Sequence, residues 1–221
     1  MNRIDRNVRL VAVTGGIGSG KSVVCRILRS MGHDVYDCDS RARRLMDESE
    51  EIMDAVAARV MPEAVVCDDN GRRRIDRKAL AAEVFSCAEK LAALNSIVHG
   101  EVRSDIDRWV GARSAAGSNY VGGEECASVL FVESAIVIES GLHDMVDYIW
   151  HVTAPAELRL ERAMRRDGAT ADEIKMRMRN QKPFPSEVFD STGRAVPVSV
   201  IVNDDRHPLL ARVECLLGSL M

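Results

Sequence analysis

The chain has 221 residues, of which 46% are hydrophobic and 29% are charged, and its formal net charge at pH 7 is −4. That length suits one α/β domain with a full core and a smaller helical insertion. A net negative charge argues against broad nucleic-acid binding, which depends on a dominant basic field. We therefore expect no nucleic-acid partner.

The cysteines and the N-terminal residues bear on where the protein works. The six cysteines are scattered, without the close spacing of a zinc site or a redox pair, which fits the reducing cytosol. Residues 1–7 lack the apolar stretch of a signal peptide, and no apolar run approaches the ~20 residues that span a bilayer. We expect a cytoplasmic protein without a membrane partner, either a monomer or a weak homo-oligomer.

The first part of the chain predicts a strand, a glycine-rich turn and a helix. Apart from Arg9, residues 8–13 are apolar and rich in β-branched side chains, which indicates a buried parallel strand. The helix after the turn has apolar residues at Val23, Val24, Ile27 and Leu28. A short second strand is predicted over residues 33–37.

The rest of the chain alternates between helical and strand patterns. Residues 40–112 predict an almost entirely helical region, broken at 61–62 and at 69–71, and residues 114–125 predict a loop. The remaining elements are predicted as strands at 128–132, 148–152 and 198–202, two charged helices over 156–181 around a turn at 167–168, and a closing helix over 208–217. This alternation predicts a parallel sheet of about five strands with helices on both faces.

The strongest motif is GGIGSGKS, from Gly15 to Ser22, which fits G-x-x-x-x-G-K-[ST] at every fixed position. Its glycines let backbone N–H groups converge on phosphate oxygens at a helix N-terminus. Lys21 is expected to reach the β- and γ-phosphates of a nucleotide, and the Ser22 hydroxyl to bind Mg²⁺. The predicted nucleotide-binding residues of this segment are Gly16, Ile17, Gly18, Ser19, Gly20, Lys21, Ser22 and Val23. The fold class is therefore a three-layer α/β P-loop fold.

The helical region after the second strand favours a small-molecule kinase over other classes with this loop. Ligands of α/β sheets bind beyond the carboxyl ends of the strands, which is where such an insertion would hold an acceptor. The sequence contains neither an Asn-Lys-x-Asp motif of guanine recognition nor an LSGGQ-type signature of transporter ATPases. Both absences narrow the choice towards kinases.

Asp39 follows the second predicted strand and has two interpretations. A carboxylate there could orient or deprotonate an acceptor hydroxyl facing the γ-phosphate. It could equally be the N-cap of a helix beginning near Arg41, because Asp is well suited to that position. Asp37, within the strand, is expected to support the loop.

The order of motifs resembles the dephospho-coenzyme A kinase family. Residues 13–22 followed by 35–39 are similar to the opening of that family. Further similar segments follow in the same order at residues 75–85, 94–99, 133–139, 162–167, 181 and 200–203. The chain departs from the family at Gly100 instead of proline, at Pro197-Val198 instead of Ala-Asp, and in a longer loop over 114–125. None of these departures touches the phosphate-binding motif.

The resemblance implies ATP-dependent phosphorylation of the ribose 3′-hydroxyl of dephospho-coenzyme A, with ATP and Mg²⁺ as cofactors. It implies that residues 1–39 and 113–221 form the nucleotide-binding core, with a helical lid over about 155–181, and that 40–112 form a helical acceptor domain. In this assignment Asp39 is the catalytic base. Lys21 and Arg162 act on the transferring phosphate.

Further site residues follow from the same resemblance. Arg166 and Asn203 are implied in ATP binding, with Asn203 near the adenine. The residues implied in acceptor binding, besides Asp39, are Thr14, Arg77, His99 and Glu139. Arg77, Arg162 and Arg166 could instead be surface residues, and His99 a satisfied interior histidine. On the first lid helix, Arg159, Arg162 and Arg166 share one face, whereas Arg165 points partly away.

Two alternatives stay open. One is another small-metabolite kinase, similar to the shikimate or gluconate kinases, which also carry this loop and an acidic pair after the second strand. The other is a nucleotide-dependent switch protein that transfers no phosphate to a metabolite. A comparison of substrates would distinguish another metabolite kinase from a dephospho-coenzyme A kinase. A switch protein would need sequence motifs that recognise the nucleotide base, and we do not find them.

Overall fold

The computed structural model describes residues 8–114, 119–121, 124–126 and 128–220. Its strands are β1 (Val8–Thr14), β2 (Val35–Asp37), β3 (Val65–Cys67), β4 (Arg73–Ile75), β5 (Asn119–Val121), β6 (Glu124–Cys126), β7 (Ser128–Glu133), β8 (Tyr148–Thr153) and β9 (Val198–Val202). Its helices are α1 (Lys21–Ser30), α2 (Cys38–Glu48), α3 (Glu50–Arg59), α4 (Arg77–Ser86), α5 (Ala88–Ser114), α6 (Ala156–Asp167), α7 (Ala171–Arg179) and α8 (Leu209–Gly218). Short 3₁₀ turns occur at Pro62–Ala64 and Leu142–Asp144.

The chain divides into two compact units. One unit contains the residues up to Tyr36 together with those from Ala112 onward, and the other is Asp37–Gly111. The first unit contains the glycine-rich turn and the main sheet. The second is mostly helical.

The main sheet has five strands in the order β2-β7-β1-β8-β9. The central strand β1 pairs in parallel with both β7 and β8, and β8 pairs in parallel with β9. Because β1 has strands on both sides, all of its residues except Arg9 are buried, and its sequence is mostly apolar rather than alternating. The predicted α/β class and the five-stranded parallel sheet are confirmed.

The register of the sheet sets which residues meet at its carboxyl edge. Val13 pairs with Glu133 on β7, and Thr14 pairs with His151 on β8. The glycine-rich turn begins directly after Thr14. Glu133 therefore lies beside the start of that turn.

Helices α1 and α8 pack against each other and share one hydrophobic core with the sheet. From α1 the buried residues are Val24, Cys25 and Leu28, which recur at one-turn spacing on one helix face. In the same core the rings of Phe131 and Trp150 lie with their centroids 5.2 Å apart. This packing fixes α1, and with it the glycine-rich turn, against the sheet.

The two predicted lid helices are α6 and α7, and their separation by a turn at Asp167-Gly168 is confirmed. Gly168 ends α6 with a φ of 63°, a left-handed conformation that favours glycine. Thr170 and Glu173 form a capping box at the start of α7, in which the Thr170 N–H donates to Glu173 at 2.8 Å. These local features end α6 and start α7.

The second unit differs from the prediction of an almost entirely helical region. Between α3 and α4 it contains an antiparallel pair, β3 and β4, with Val65 opposite Ile75. The break predicted at residues 69–71 is the turn of this hairpin, where Asp68 accepts hydrogen bonds from the Asn70 and Arg72 N–H groups. Three-residue strands are too short to show an alternating pattern, which is why the sequence did not reveal them.

The loop predicted over residues 114–125 also contains strands. Residues 115–118, 122 and 123 lie outside the described residues. Within the described part, Asn119–Val121 pairs in antiparallel fashion with Glu124–Cys126.

Within the part of the chain that the structure describes, no helix combines the length and apolar character needed to cross a bilayer.

The N-cap of α2 is Asp37, not Asp39. The helix begins at Cys38 rather than near Arg41, and the Asp37 carboxylate accepts from the Ser40 N–H at 3.0 Å and from the Ser40 hydroxyl at 2.7 Å. Asp39 lies in the first helical turn and is exposed. The interpretation of Asp39 as the helix N-cap is therefore wrong, and so is the expectation that Asp37 supports the loop. Two acidic residues stand two positions apart, and only the backbone shows which one precedes the helix.

This cap can be tested by thermal unfolding. We expect Asp37→Ala to lower the free energy of unfolding by ~1 kcal/mol, because the Ser40 N–H loses its acceptor. For a chain of this length that corresponds to a fall in Tm of about 2–4 °C. Asp39→Asn is the control, with an expected change within about 0.5 kcal/mol. Equal losses in the two variants would contradict the assignment.

Candidate active site

The glycine-rich turn between β1 and α1 is closely packed against two other segments. A Cβ atom on Gly18 would lie 2.1 Å from the Arg159 carbonyl oxygen, and one on Gly20 would lie 2.0 Å from the Asn203 Nδ2 atom. Both glycines also have left-handed backbones, with φ of 73° and 93°. Glycine at these two positions is therefore required by close approach as well as by conformation.

Asn203 holds the turn from the end of β9. Its Nδ2 atom donates to the Ser19 carbonyl oxygen at 2.9 Å, and its own N–H donates to the Thr153 carbonyl oxygen at 2.8 Å. The residue is buried. The structure thus places Asn203 against the glycine-rich turn, where its amide fixes the backbone.

Ser22 and Glu133 form a pair of oxygen ligands at the start of α1. The Ser22 hydroxyl donates to Glu133 Oε1 at 2.5 Å, and Glu133, at the end of β7, is only 7% exposed. Burial, together with the neighbouring Glu133 carboxylate, raises the pKa of the Cys25 thiol one turn further along α1. A hydroxyl and a carboxylate beside a phosphate-binding turn suit Mg²⁺, which takes few protein ligands and completes its shell with phosphate and water oxygens.

Glu133 was missed as a site residue by the sequence analysis. The sequence does show an acidic residue at the end of an apolar strand, but this pattern is common at strand ends and does not by itself indicate a site. Its meaning depends on β7 lying next to β1 in register. That pairing joins residues more than one hundred positions apart.

Arg159 and Gln181 hold the tip of the turn at Ile17. Arg159 Nε donates to the Ile17 carbonyl oxygen at 2.8 Å, and the Ile17 N–H donates to Gln181 Oε1 at 2.8 Å. Arg159 Nη2 also donates to Gln181 Oε1 at 3.4 Å. One residue of the turn is thus bound at both its backbone groups by side chains from α6 and from just beyond α7. Arg159 was not among the predicted site residues, although its place on the Arg162 face was noted.

The surroundings of Arg159 are partly buried. Burial lowers the pKa of the Arg159 guanidinium. Burial and, second, the Arg159 charge lower the pKa of His151, whose ring stacks on Phe184 with centroids 4.2 Å apart. A positive charge therefore lies in a poorly hydrated position next to the turn.

Arg162, one turn further along α6, reaches the loop after β9. Its Nη1 atom donates to the Asn203 carbonyl oxygen at 3.0 Å and its Nη2 atom to Asp205 Oδ1 at 2.5 Å. The Arg162 side chain is 19% exposed. Arg166 lies apart from this group, since it pairs with Asp167 at 2.6 Å and its side chain is 60% exposed.

The residues implied in acceptor binding fall into both units. In the first unit Thr14 is buried at the end of β1, and Glu139 is exposed beyond β7. In the second unit Arg77 donates to the Arg43 carbonyl oxygen and pairs with Asp47, each at 2.7 Å. His99 is half-buried on α5, and Asp39 is on α2.

A glycine-rich turn after a buried central strand, a serine and a carboxylate at its helical end, and two arginines of α6 beside it are typical of a P-loop kinase of small molecules. A model of the family described as dephospho-CoA kinase matches residues 9–203. The chain belongs to the dephospho-CoA kinase family, as its sequence resemblance predicted.

Individual relatives agree with that membership. The dephospho-CoA kinase of Porphyromonas gingivalis is 38% identical over 203 residues, covering 92% of this chain and 90% of the relative. That of Chlorobaculum tepidum is 40% identical over 174 residues, covering 79% of each. A crystal structure of a Thermus thermophilus protein has a TM-score of 0.69 and 32% identity, and the match covers 96% of this chain and 98% of that one.

The hold of Gln181 on the turn can be measured by amide hydrogen exchange. We expect Gln181→Met to speed exchange of the Ile17 N–H by about fivefold to tenfold, because one hydrogen bond of ordinary strength is lost. Gln181→Glu retains an acceptor oxygen and should protect that N–H as well as the wild type does. Nuclear magnetic resonance of isotope-labelled protein would resolve this amide. Unchanged exchange in Gln181→Met would show that the contact does not protect the turn in solution.

Proposed function

We propose that this protein transfers the γ-phosphoryl group of ATP to the ribose 3′-hydroxyl of dephospho-coenzyme A, giving coenzyme A and ADP. Family membership supports the reaction, the last step of coenzyme A synthesis. The observation that carries the proposal in this chain is the glycine-rich turn with Lys21, Ser22 and Glu133 at one end and Arg162 beside it. We expect the enzyme to act in the cytoplasm, as a monomer or a weak homo-oligomer.

ATP would bind with its phosphates against the turn. The turn leads into the N-terminus of α1 at Lys21, where N–H groups without helical partners would face the phosphates, and Lys21 would reach the β- and γ-phosphates. Ser22 and Glu133 would hold Mg²⁺, which when bound neutralises charge on the phosphate oxygens. We retain Arg166 and Asn203 as candidate nucleotide contacts, although the Asn203 amide is already used to fix the turn.

Catalysis would consist mainly of positioning and charge stabilisation. The transferring phosphoryl group spreads negative charge over its oxygens, and a guanidinium fixed beside it stabilises that charge without reorganising. Arg162 is the residue we assign to this role. The lid, residues 155–181, would exclude water and so limit wasteful ATP hydrolysis.

The acceptor would be activated by Asp39. A ribose hydroxyl is a weak nucleophile, so that a carboxylate accepting its proton accelerates attack on the γ-phosphorus. With the cap function assigned to Asp37, the helix start does not explain the presence of Asp39. We assign the helical unit, predicted as residues 40–112, to acceptor binding, with Thr14, Arg77, His99 and Glu139 as candidate contacts.

A coupled assay of ADP release tests the base and the substrate together. We expect Asp39→Asn to keep the wild-type Tm while its rate of phosphoryl transfer falls by roughly two to four orders of magnitude. Wild-type protein should release ADP with dephospho-coenzyme A far faster than with adenosine, shikimate or gluconate. Full activity in Asp39→Asn would remove it from the mechanism. A preference for shikimate or gluconate would favour the other metabolite kinases, and acceptor-independent hydrolysis alone would favour a switch protein.

Arg162 can be compared with a matched arginine on the same helix. We expect Arg162→Met to lower kcat by about 100-fold, the effect of removing one preorganised donor, while the KM for ATP changes by less than about threefold. Arg165 is exposed and points partly away from the face of α6 that Arg162 shares with Arg159, so that Arg165→Met should leave both constants within about twofold of wild type. Steady-state kinetics with both variants would show whether Arg162 contributes to phosphoryl transfer. Similar small effects at both positions would mean that Arg162 does not act on the transferring phosphate.

A further inference from the structure

Asp205 has an unusual backbone conformation. Its φ is 62°, and among the described residues it is the one non-glycine residue with a positive φ. Left-handed geometry is costly for residues with a Cβ atom, although Asp and Asn tolerate it better than most. A residue held in such a conformation points to a constraint that the rest of the loop imposes.

The constraint is the position of the Asp205 carboxylate. Asp205 Oδ1 accepts from Arg162 Nη2 at 2.5 Å, while the Asn203 carbonyl oxygen two residues earlier accepts from Nη1 at 3.0 Å. Both acceptors belong to the short segment after β9. The left-handed residue thus turns its carboxylate back to the guanidinium that the Asn203 carbonyl already binds.

This segment is also tied to the phosphate-binding turn. The Asn203 side chain donates to the Ser19 carbonyl oxygen, and Arg162 Nη1 lies 3.9 Å from where a Cβ on Gly20 would be. The guanidinium is therefore held next to the turn by a segment that contacts the turn itself. Two bonds from separate nitrogens fix both the position and the plane of the guanidinium.

The neighbouring carboxylate is engaged elsewhere. Asp204 accepts from the His207 ring and from the N–H groups of Arg206 and His207, and these bonds lower the pKa of Asp204 to about 2. Two adjacent acidic residues thus have separate tasks. Asp204 organises the start of the segment towards α8, and Asp205 binds Arg162.

We propose that Asp205 is a positioning residue for phosphoryl transfer, which holds the Arg162 guanidinium beside the phosphate-binding turn before ATP arrives. This inference rests on the role proposed above for Arg162. An arginine side chain has several rotatable bonds, and ordering them during the reaction would cost entropy. A carboxylate that orders them in advance leaves the charge in place where the phosphoryl group is transferred.

The test uses two substitutions that remove the carboxylate and keep the backbone. Asn and Gly both adopt positive φ readily, so that Asp205→Asn and Asp205→Gly should retain the wild-type Tm or exceed it. We expect kcat to fall about threefold to fivefold in both, as befits the loss of a partly exposed ion pair, while the KM for ATP stays within about twofold. Asp204→Asn removes the same charge one position away and should leave kcat within about twofold.

A double substitution shows whether Asp205 acts through Arg162. In an Arg162→Met background, Asp205→Asn should cause no further fall in kcat, since the guanidinium it positions is gone. The same threefold to fivefold fall in that background would overturn the proposal, as would an unchanged or increased kcat in Asp205→Asn alone. If Arg162→Met itself turns over like the wild type, the proposed role of Arg162 fails first. An impaired Arg162→Met with a fully active Asp205→Asn refutes only the role of Asp205.

Discussion

The close packing of the glycine-rich turn is the constraint on which the rest of the site depends. At Gly18 and Gly20 the turn approaches a carbonyl group of α6 and the amide of Asn203 so nearly that no side chain fits between them. Three segments far apart in sequence, the turn, α6 and the residues after β9, must therefore come together for the turn to take its shape. The conformation of the turn therefore depends on the whole first unit and not only on the eight residues of the motif.

Hydrogen bonds from side chains also hold the backbone of the turn. Ile17 is bound at its carbonyl by Arg159 and at its N–H by Gln181, and Ser19 is bound by Asn203. In the segment proposed as a lid, residues 155–181, Arg159 lies near the start and Gln181 at the end, so both ends of this segment are attached to the turn. A movement of this segment that breaks these contacts would also release the tip of the turn.

The sequence predicted features that depend on neighbouring residues better than features that depend on contacts between distant parts of the chain. The strand and turn from β1 to α1 were predictable because a continuous apolar run and a fixed motif adjoin each other. The hairpin of β3 and β4 was not, because three-residue strands carry no period, and Asp37 could not be told from Asp39 as the cap by residue type alone. Glu133 and Arg159 required the register of β7 and the packing of α6, which join distant parts of the chain.

The choice of acceptors around the two arginines has an electrostatic consequence. Arg159 donates to a carbonyl and to an amide oxygen, both of them neutral, and one of the two bonds of Arg162 also goes to a carbonyl. Neutral acceptors orient a guanidinium without cancelling its charge. Because charges interact more strongly where water is partly excluded, the half-buried Arg159 retains a field that favours an anion at the turn. Arg162 differs in having a carboxylate partner, Asp205, so its charge is partly balanced by that partner.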